Sequence, residues 1–534
     1  MRLPMLICLL LASLPPSLEA QKFRADDPLE FELKPVPTVD AARRKMSDVY
    51  DFFTNTLNTP GELNRDVPDP IPARGVNTLG EPMQGAWWVK RHYYKPMSLD
   101  ELVSGPGSDH PPSTEGPWTV VGVKSEGITP GFVMLDAKQE LYFIKFDPLT
   151  NPEMATGADH ISIRLVHALG YHVPENYVVE FREDMLVLGE DVTVADRLGR
   201  RHPMTGRHVT QMLLSVPKTR DGRYRATASR AIPGKGIGPY RYHGVRRDDP
   251  NDFVPHEHRR DLRGLAVVSA WIGHDDSRAI NTYDAIVEEN GARFIKHYIL
   301  DLGSTLGSGT QKANSARSGG EYVFGWNQSA AQLFSLGLVV PSWSKAHFPD
   351  LPSVGRFEYK RFDPEKWVPE YPNPAFLNRL PDDEFWAAKQ IMAIRDEEIR
   401  AIVESAHYSD PKAAAWLIEC LIQRRDKIGR AYFGKVLPID RFEIRGGEIF
   451  FEDLSEKAGF GAAGPYTIAW LELDNSTGTT TPIDGANSFA VPKKAVPYLV
   501  ARISSATRPK QIVEVTTRFD VNSPPAIVGV DRRW

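Results

Sequence analysis

The sequence predicts an α+β fold in which a β-rich segment precedes a helical one and a small all-β domain closes the chain. Three observations predict it. Short apolar runs broken by turn residues crowd positions 118–190, and apolar residues at helical spacing dominate 259–272 and 383–430. Short strands with turns such as Asp474-Asn475-Ser476 return beyond 463. At 534 residues the chain has room for two or three domains, and 41% hydrophobic with 25% charged residues is an ordinary globular composition. A formal charge of −5 gives no reason to expect nucleic acid or an acidic membrane surface as a partner.

Residues 1–20 read as a secretory signal. Arg2 supplies the positive start, Leu3 to Leu14 the apolar run, and Leu18-Glu19-Ala20 a cleavage site. The run falls short of the about 20 apolar residues a membrane span needs, so no span is expected after cleavage. Cys420 is then the one remaining cysteine, which leaves no intramolecular disulfide and suits a periplasmic or secreted bacterial protein. Residues 21–117 form a proline-rich extension with one amphipathic helix from Val39 to Asn55. Within 118–190 strands are expected at 118–124, 132–136 and 141–146, then a helix from Ala155 to Leu169 stopped by Gly170, then strand character at 177–181 and 185–188.

Residues 191–250 read as a basic insertion or linker. Its arginines and lysines at 218–247 are expected to be solvated, with phosphate or an acidic substrate as the alternative occupant. His256 and His258 are expected in solvent rather than on a metal. Residues 251–455 carry a helix from Arg259 to Ile272, a polar loop, a hairpin turning at Asn290-Gly291, and further helices between 383 and 430. Residues 456–534 make the terminal β domain, with strands at 466–473, 488–491, 498–503 and 511–518 forming a sandwich around Trp470 and Trp534.

The chemistry concentrates at Gly273 to Thr282, GHDDSRAINT, which contains H-x-D-x-x-x-x-N with Asp276 and Asn281 five positions apart. A hairpin later an apolar strand ends in Asp301-Leu302-Gly303. Phosphoryl transfer asks for a carboxylate to orient the attacking hydroxyl and take its proton, and for oxygen ligands to hold divalent metal. Helix, polar loop, hairpin and Asp-x-Gly bring such oxygens toward one point.

In this order of parts the chain resembles the protein-kinase superfamily, in its atypical branch near the HipA-type and other secreted kinase-like proteins of bacteria. The resemblance covers about residues 118–430 and implies a bilobal protein-kinase-like fold, with a β-rich N-lobe over 118–190 and a helical C-lobe over 251–455. It implies Asp276 as catalytic base, Asn281 and Asp301 as ligands of Mg or Mn, and Lys145, in Leu141 to Phe146, as the lysine facing the phosphates of ATP. The acidic partner of that lysine is Asp159, one methylene shorter than the usual glutamate, with Glu153 as the alternative. The turn from Glu126 to Gly131 stands where a glycine-rich phosphate loop would, with Gly127 and Gly131 as its glycines. The implied activity is a secreted ATP- and Mg/Mn-dependent phosphotransferase acting on a hydroxyl of an unidentified protein or small molecule. The rivals are a catalytically inactive kinase-like binding or scaffold protein, favoured by the scarcity of ATP outside the cytoplasm, and another nucleotide-dependent transferase on the same fold.

Overall fold

A computed structural model describes residues 21–38, 40–107, 110–123, 130–195, 200–324, 341–520 and 523–534. The expected signal segment, Val39 and the first part of the Glu126 to Gly131 turn, Gly127 included, lie outside the described residues.

The structure is a mixed α/β fold whose three largest apolar cores among the described residues are separate. The first sheet has six strands, β1 (Trp118–Val123), β2 (Gly131–Leu135), β3 (Leu141–Phe146), β4 (Asn176–Phe181), β5 (Leu186–Leu188) and, from residues Tyr224–Arg230, a strand labelled β6, in the order β4-β6-β3-β2-β1-β5. All its neighbours are antiparallel except β1 with β5. Alternation decides its faces. On β3, Tyr142, Ile144 and Phe146 point into a core with Trp118, Phe132, Phe181 and Ala226, while Phe143 and Lys145 point the other way. The β2–β3 turn is fixed by buried Asp136, whose Oδ1 accepts from the amides of Lys138 and Glu140 at 2.9 Å each.

Helix α1 (Met154–Ala168) packs behind this sheet. Its first turn is anchored by buried Asp147, just beyond β3, which accepts from Thr156 N at 2.8 Å and Thr156 Oγ1 at 2.7 Å. A carboxylate there also meets the positive end of the helix dipole. Below α1 lies the largest core, built on helix α2 (Arg260–Ile272), of which every residue is buried. Around α2 pack α3 (Pro381–Ala393), α4 (Asp396–Glu404) and α5 (Pro411–Phe433), the last two carrying buried Ile399 and Cys420. Gly273 closes α2 in the left-handed region at φ 68°, a conformation open to glycine at little cost. The hairpin β7 (Thr282–Glu289) and β8 (Ala292–Ile299) follows, turning at Asn290 and Gly291 with φ 52° and 73°.

The chain ends in one five-stranded antiparallel sheet, β9 (Tyr466–Leu473), β10 (Thr480–Pro482), β11 (Tyr498–Ser505), β12 (Arg508–Arg518) and β13 (Ala526–Arg533), in the order β10-β9-β11-β12-β13. The hairpin Ile439–Arg445 with Glu448–Asp453 shares its core through Ile439 and Ile449, which meet Ile468 and Trp470. No helix among the described residues is long and apolar enough to cross a membrane.

Several expectations are corrected. Residues 191–250 are not all linker: β6 sits between β4 and β3, and Arg225 on it and Arg246 are 5% and 1% exposed, whereas Lys218, Arg220, Arg223, Lys235, Arg241 and Arg247 are exposed as expected. The strand escapes notice in the sequence because its core-facing side beyond Tyr224 is only Ala226 and Ala228, with arginines at 225 and 230. The hairpin at 439–453 joins the terminal β core although it precedes residue 456. His256 and His258 are buried, bonded to Asp252 at 2.8 Å and to Glu62 at 3.3 Å. The amphipathic helix of the extension shrinks to Asp48–Phe53, followed by a π-helical turn at Thr54–Asn58. In the terminal domain 488–491 makes only a bridge at Ala490, and Trp534 is 44% exposed because it follows the last strand rather than facing the core.

Candidate functional site

Lys145 stands at the centre of the site. β3 offers it on the face turned from the sheet's apolar core, and its neighbours across the strands are Gly131 on β2 and Thr227 on β6. Its Nζ donates to Asp301 Oδ1 at 2.8 Å. Burial by itself would lower the Lys145 ammonium, but the carboxylates of Asp301 and Asp159 outweigh it and hold it above the ordinary lysine value. The expected pair with Asp159 is therefore replaced by a direct pair with Asp301, and Asp159 acts on Lys145 as a nearby charge. Asp159, on α1, is 3% exposed; its Oδ2 accepts from Asn176 Nδ2 at 2.8 Å. Burial pushes its carboxyl up, with Lys145 pulling it down. Glu153 faces elsewhere and accepts from Ser409 N at 2.9 Å. Gly131 is glycine for a packing reason, since a Cβ there would fall 2.1 Å from Ile144 O.

Asp301 follows β8 in the left-handed region at φ 55°. The backbone thus turns sharply at Asp301 itself, a residue type that tolerates this region. The turn is fixed from both sides. Leu300 N donates to Asn281 O at 2.8 Å, and buried Thr305 shares a 2.6 Å hydroxyl bond with Ser162 of α1.

The polar loop after α2 brings Asp276 and Asn281 alongside. Asn281 Nδ2 donates to the Asp276 carbonyl at 2.8 Å, which orients the amide and leaves its oxygen for another partner. Ser304 Oγ stands 3.5 Å from Asp276 Oδ2, so the loop and the Asp301 turn meet at these two residues. The Asp276 side chain is 19% exposed and ion-paired with Arg278. Burial pushes its carboxyl up to about 7, Arg278 pulling down and Glu370 and Asp301 adding to the rise. Burial pushes neighbouring Asp275 up to about 6, and it accepts from Asn314 Nδ2 at 2.9 Å. His274 is held down to about 4 by burial, so it is neutral at pH 7.

Lys145, Asp159, Asp276, Asn281 and Asp301 are thus brought into one neighbourhood, with Gly131 beside Lys145; Gly127 lies outside the described residues. Sequence reasoning passed over Arg278, which lies inside the quoted motif, Asn176 and Thr227, whose roles depend on pairing between distant strands, and Ser304, which acts where the loop meets the Asp301 turn. It also missed Asp48 of the extension, which binds Arg278 Nη1 at 2.9 Å. The oxygens of Asn281 and Asp301 are hard ligands of the kind Mg²⁺ and Mn²⁺ take, and the bond to the Asp276 carbonyl orients the Asn281 amide, while the described residues hold no group of three or more His, Cys, Asp or Glu for a metal.

No family model matches the chain, and no curated protein matches it. Among solved structures, a Helicobacter pylori proinflammatory kinase, CtkA, is 12% identical, with 59% of this chain and 98% of that one covered at a TM-score of 0.30. The Golgi casein kinase is 10% identical, with 63% and 74% covered at 0.32, and its Mn/ADP-bound form gives 10%, 63% and 75% at 0.32.

Proposed function

We propose that the protein is a secreted, ATP- and Mg/Mn-dependent phosphotransferase of kinase-like, bilobal fold that acts on a hydroxyl of an unidentified protein or small molecule. One observation carries this reading: Lys145 bonds Asp301 at 2.8 Å while the Asp276–Asn281 loop meets the same turn through Ser304. In this reading a cation for phosphate oxygens, two oxygen ligands for metal and a carboxylate for the acceptor stand beside one another. Asp276 orients the acceptor hydroxyl and takes its proton, and Lys145 neutralises phosphate charge. Asn281 and Asp301 would hold the metal, which when bound offsets charge on the phosphates. Asp159, Asn176 and Thr227 fix the position from which Lys145 reaches out. Export through residues 1–20 to a bacterial periplasm or exterior belongs to the same proposal.

A non-catalytic nucleotide-binding module is the second reading. The ion pair of Arg278 with Asp276, the carboxylate meant for the acceptor, favours it.

The test is a melting curve with ATP and Mg²⁺ or Mn²⁺. At 100 times its dissociation constant a ligand adds about 2.7 kcal/mol, and the absence of any shift with either metal overturns both readings. Label transfer from ATP, lost in Asp276→Ala and Asp301→Ala, supports the enzyme. A shift without transfer supports the binding module.

A further inference from the structure

Outside the residues of the Lys145–Asp301 site, the segment before Asp48 and the end of the basic stretch line a half-open cavity of about 620 Å³. That volume suits a small organic ligand. Its walls include Arg44, Arg241 and Arg247, together with His243, Asp248 and Glu257. Both carboxylates are already engaged. Asp248 takes Arg246 Nε at 3.1 Å and the Ala42 amide at 2.8 Å, and Glu257 takes the amides of Gly244 at 2.7 Å and Glu62 at 3.1 Å. Among the described residues none of the three wall arginines has a carboxylate within ion-pair distance. The basic stretch therefore divides. Arg225 and Arg246 are buried and bonded within the fold, whereas Arg241 and Arg247 are exposed at the cavity.

We propose that this cavity binds a phosphate-bearing small molecule, its oxyanion held by the guanidinium groups of Arg44, Arg241 and Arg247. Planar guanidinium forks match a multi-oxygen dianion and bind it through charge-assisted pairs. Burial and then the neighbouring charges of Arg246 and Arg241 hold Arg44 below its ordinary value, with Asp284 and Asp248 offsetting only part of the effect. An anion in the cavity relieves that crowding of cations. Burial, with Arg241 adding to it, holds His243 down to about 4, so it is neutral at pH 7 and free to exchange hydrogen bonds with a ligand hydroxyl. The inference is independent of phosphotransfer at Lys145.

Calorimetric titration of the full chain with inorganic phosphate, ribose 5-phosphate and uncharged ribose tests it. Saturable binding is expected for a phosphate probe and not for ribose. The Arg241→Gln/Arg247→Gln variant, altered only at exposed side chains, should bind about tenfold or more weakly. Asp301→Asn should bind as the wild type does, which separates this cavity from the proposed nucleotide site. Equal binding of both phosphates assigns the ligand as the free ion, and preference for the sugar phosphate assigns an organic ester. No saturable binding, or binding unchanged in the double variant, overturns the proposal.

Discussion

Arg278 faces the carboxylates of Asp276, Asp48 and Glu370, the last two at 2.9 and 3.5 Å. It therefore sets where the Asp276 carboxylate points while tying the loop to the N-terminal extension. If Asp276 is the acceptor's base as proposed, Arg278→Gln is expected to lower label transfer by about tenfold or more while leaving the ATP-dependent melting shift in place, because its partners are Asp276, Glu370 and the extension rather than Lys145. Asp275 predicts a pH effect. Its folded value of about 6 lies above the ordinary aspartate value of 3.8, burial being the first cause, with Glu370 also raising it and Ser318 and Asn314 lowering it. Folding thus favours the protonated form: its contribution is complete below about pH 4 and is lost as pH rises through about 6. Melting temperatures of Asp275→Asn relative to wild type are expected to gain steadily between pH 4 and 7, and a constant difference across that range would reject the assignment.

Among the secondary-structure elements, α1 and β6 hold the site in place. Arg225 on β6 donates from Nε to Thr156 Oγ1 at 3.0 Å and from its two amino groups to the carbonyls of His407, at 3.0 Å, and Ala406, at 2.5 Å. Arg225→Ala leaves the buried Ala406 carbonyl without this donor and is expected to cost about 2–4 kcal/mol in urea unfolding. Gly157 on α1 lies under Tyr408, whose Oη would be 2.1 Å from an added Cβ. Gly157→Ala ordinarily gains about 1 kcal/mol of helix propensity, but here it should destabilise in the same assay, because the packed Tyr408 ring has to move. The helices, the first three strands and the hairpin were legible because their own periodicity and turn residues specify them. β6 was not, since alanines between arginines lack the apolar signal of a buried strand, and only its neighbours make it central.

Over the full length of the chain, the N-terminal extension acts as a strap. Phe23 is 2% exposed in a cluster with Leu471, Val500 and Val528 of the terminal sheet, and its amide donates to Asn475 Oδ1 at 2.7 Å. Further along, Glu32 meets Arg259 at 3.4 Å, and Asp48 reaches Arg278. Phe23→Ala is expected to cost about 3 kcal/mol, at the lower end for a buried phenylalanine, measured by equilibrium unfolding. The proline-rich composition of 21–117 gave no sign of this path, because each of its contacts lies far away in sequence.

Local pattern and spacing were enough to set the order of strand, helix, loop and hairpin, and the resemblance that this order carries pointed to Lys145, Asp276, Asn281 and Asp301. Three-dimensional packing was needed to settle which carboxylate Lys145 meets, that Arg278 holds Asp276, and which arginines of the basic stretch are buried and which line a cavity. Those outcomes depend on strand order and on a strap that crosses the molecule. Pairings between positions far apart in the chain leave no periodic trace along it, and the Arg278–Asp276 contact, though only two residues apart, depends on side-chain directions that spacing does not show.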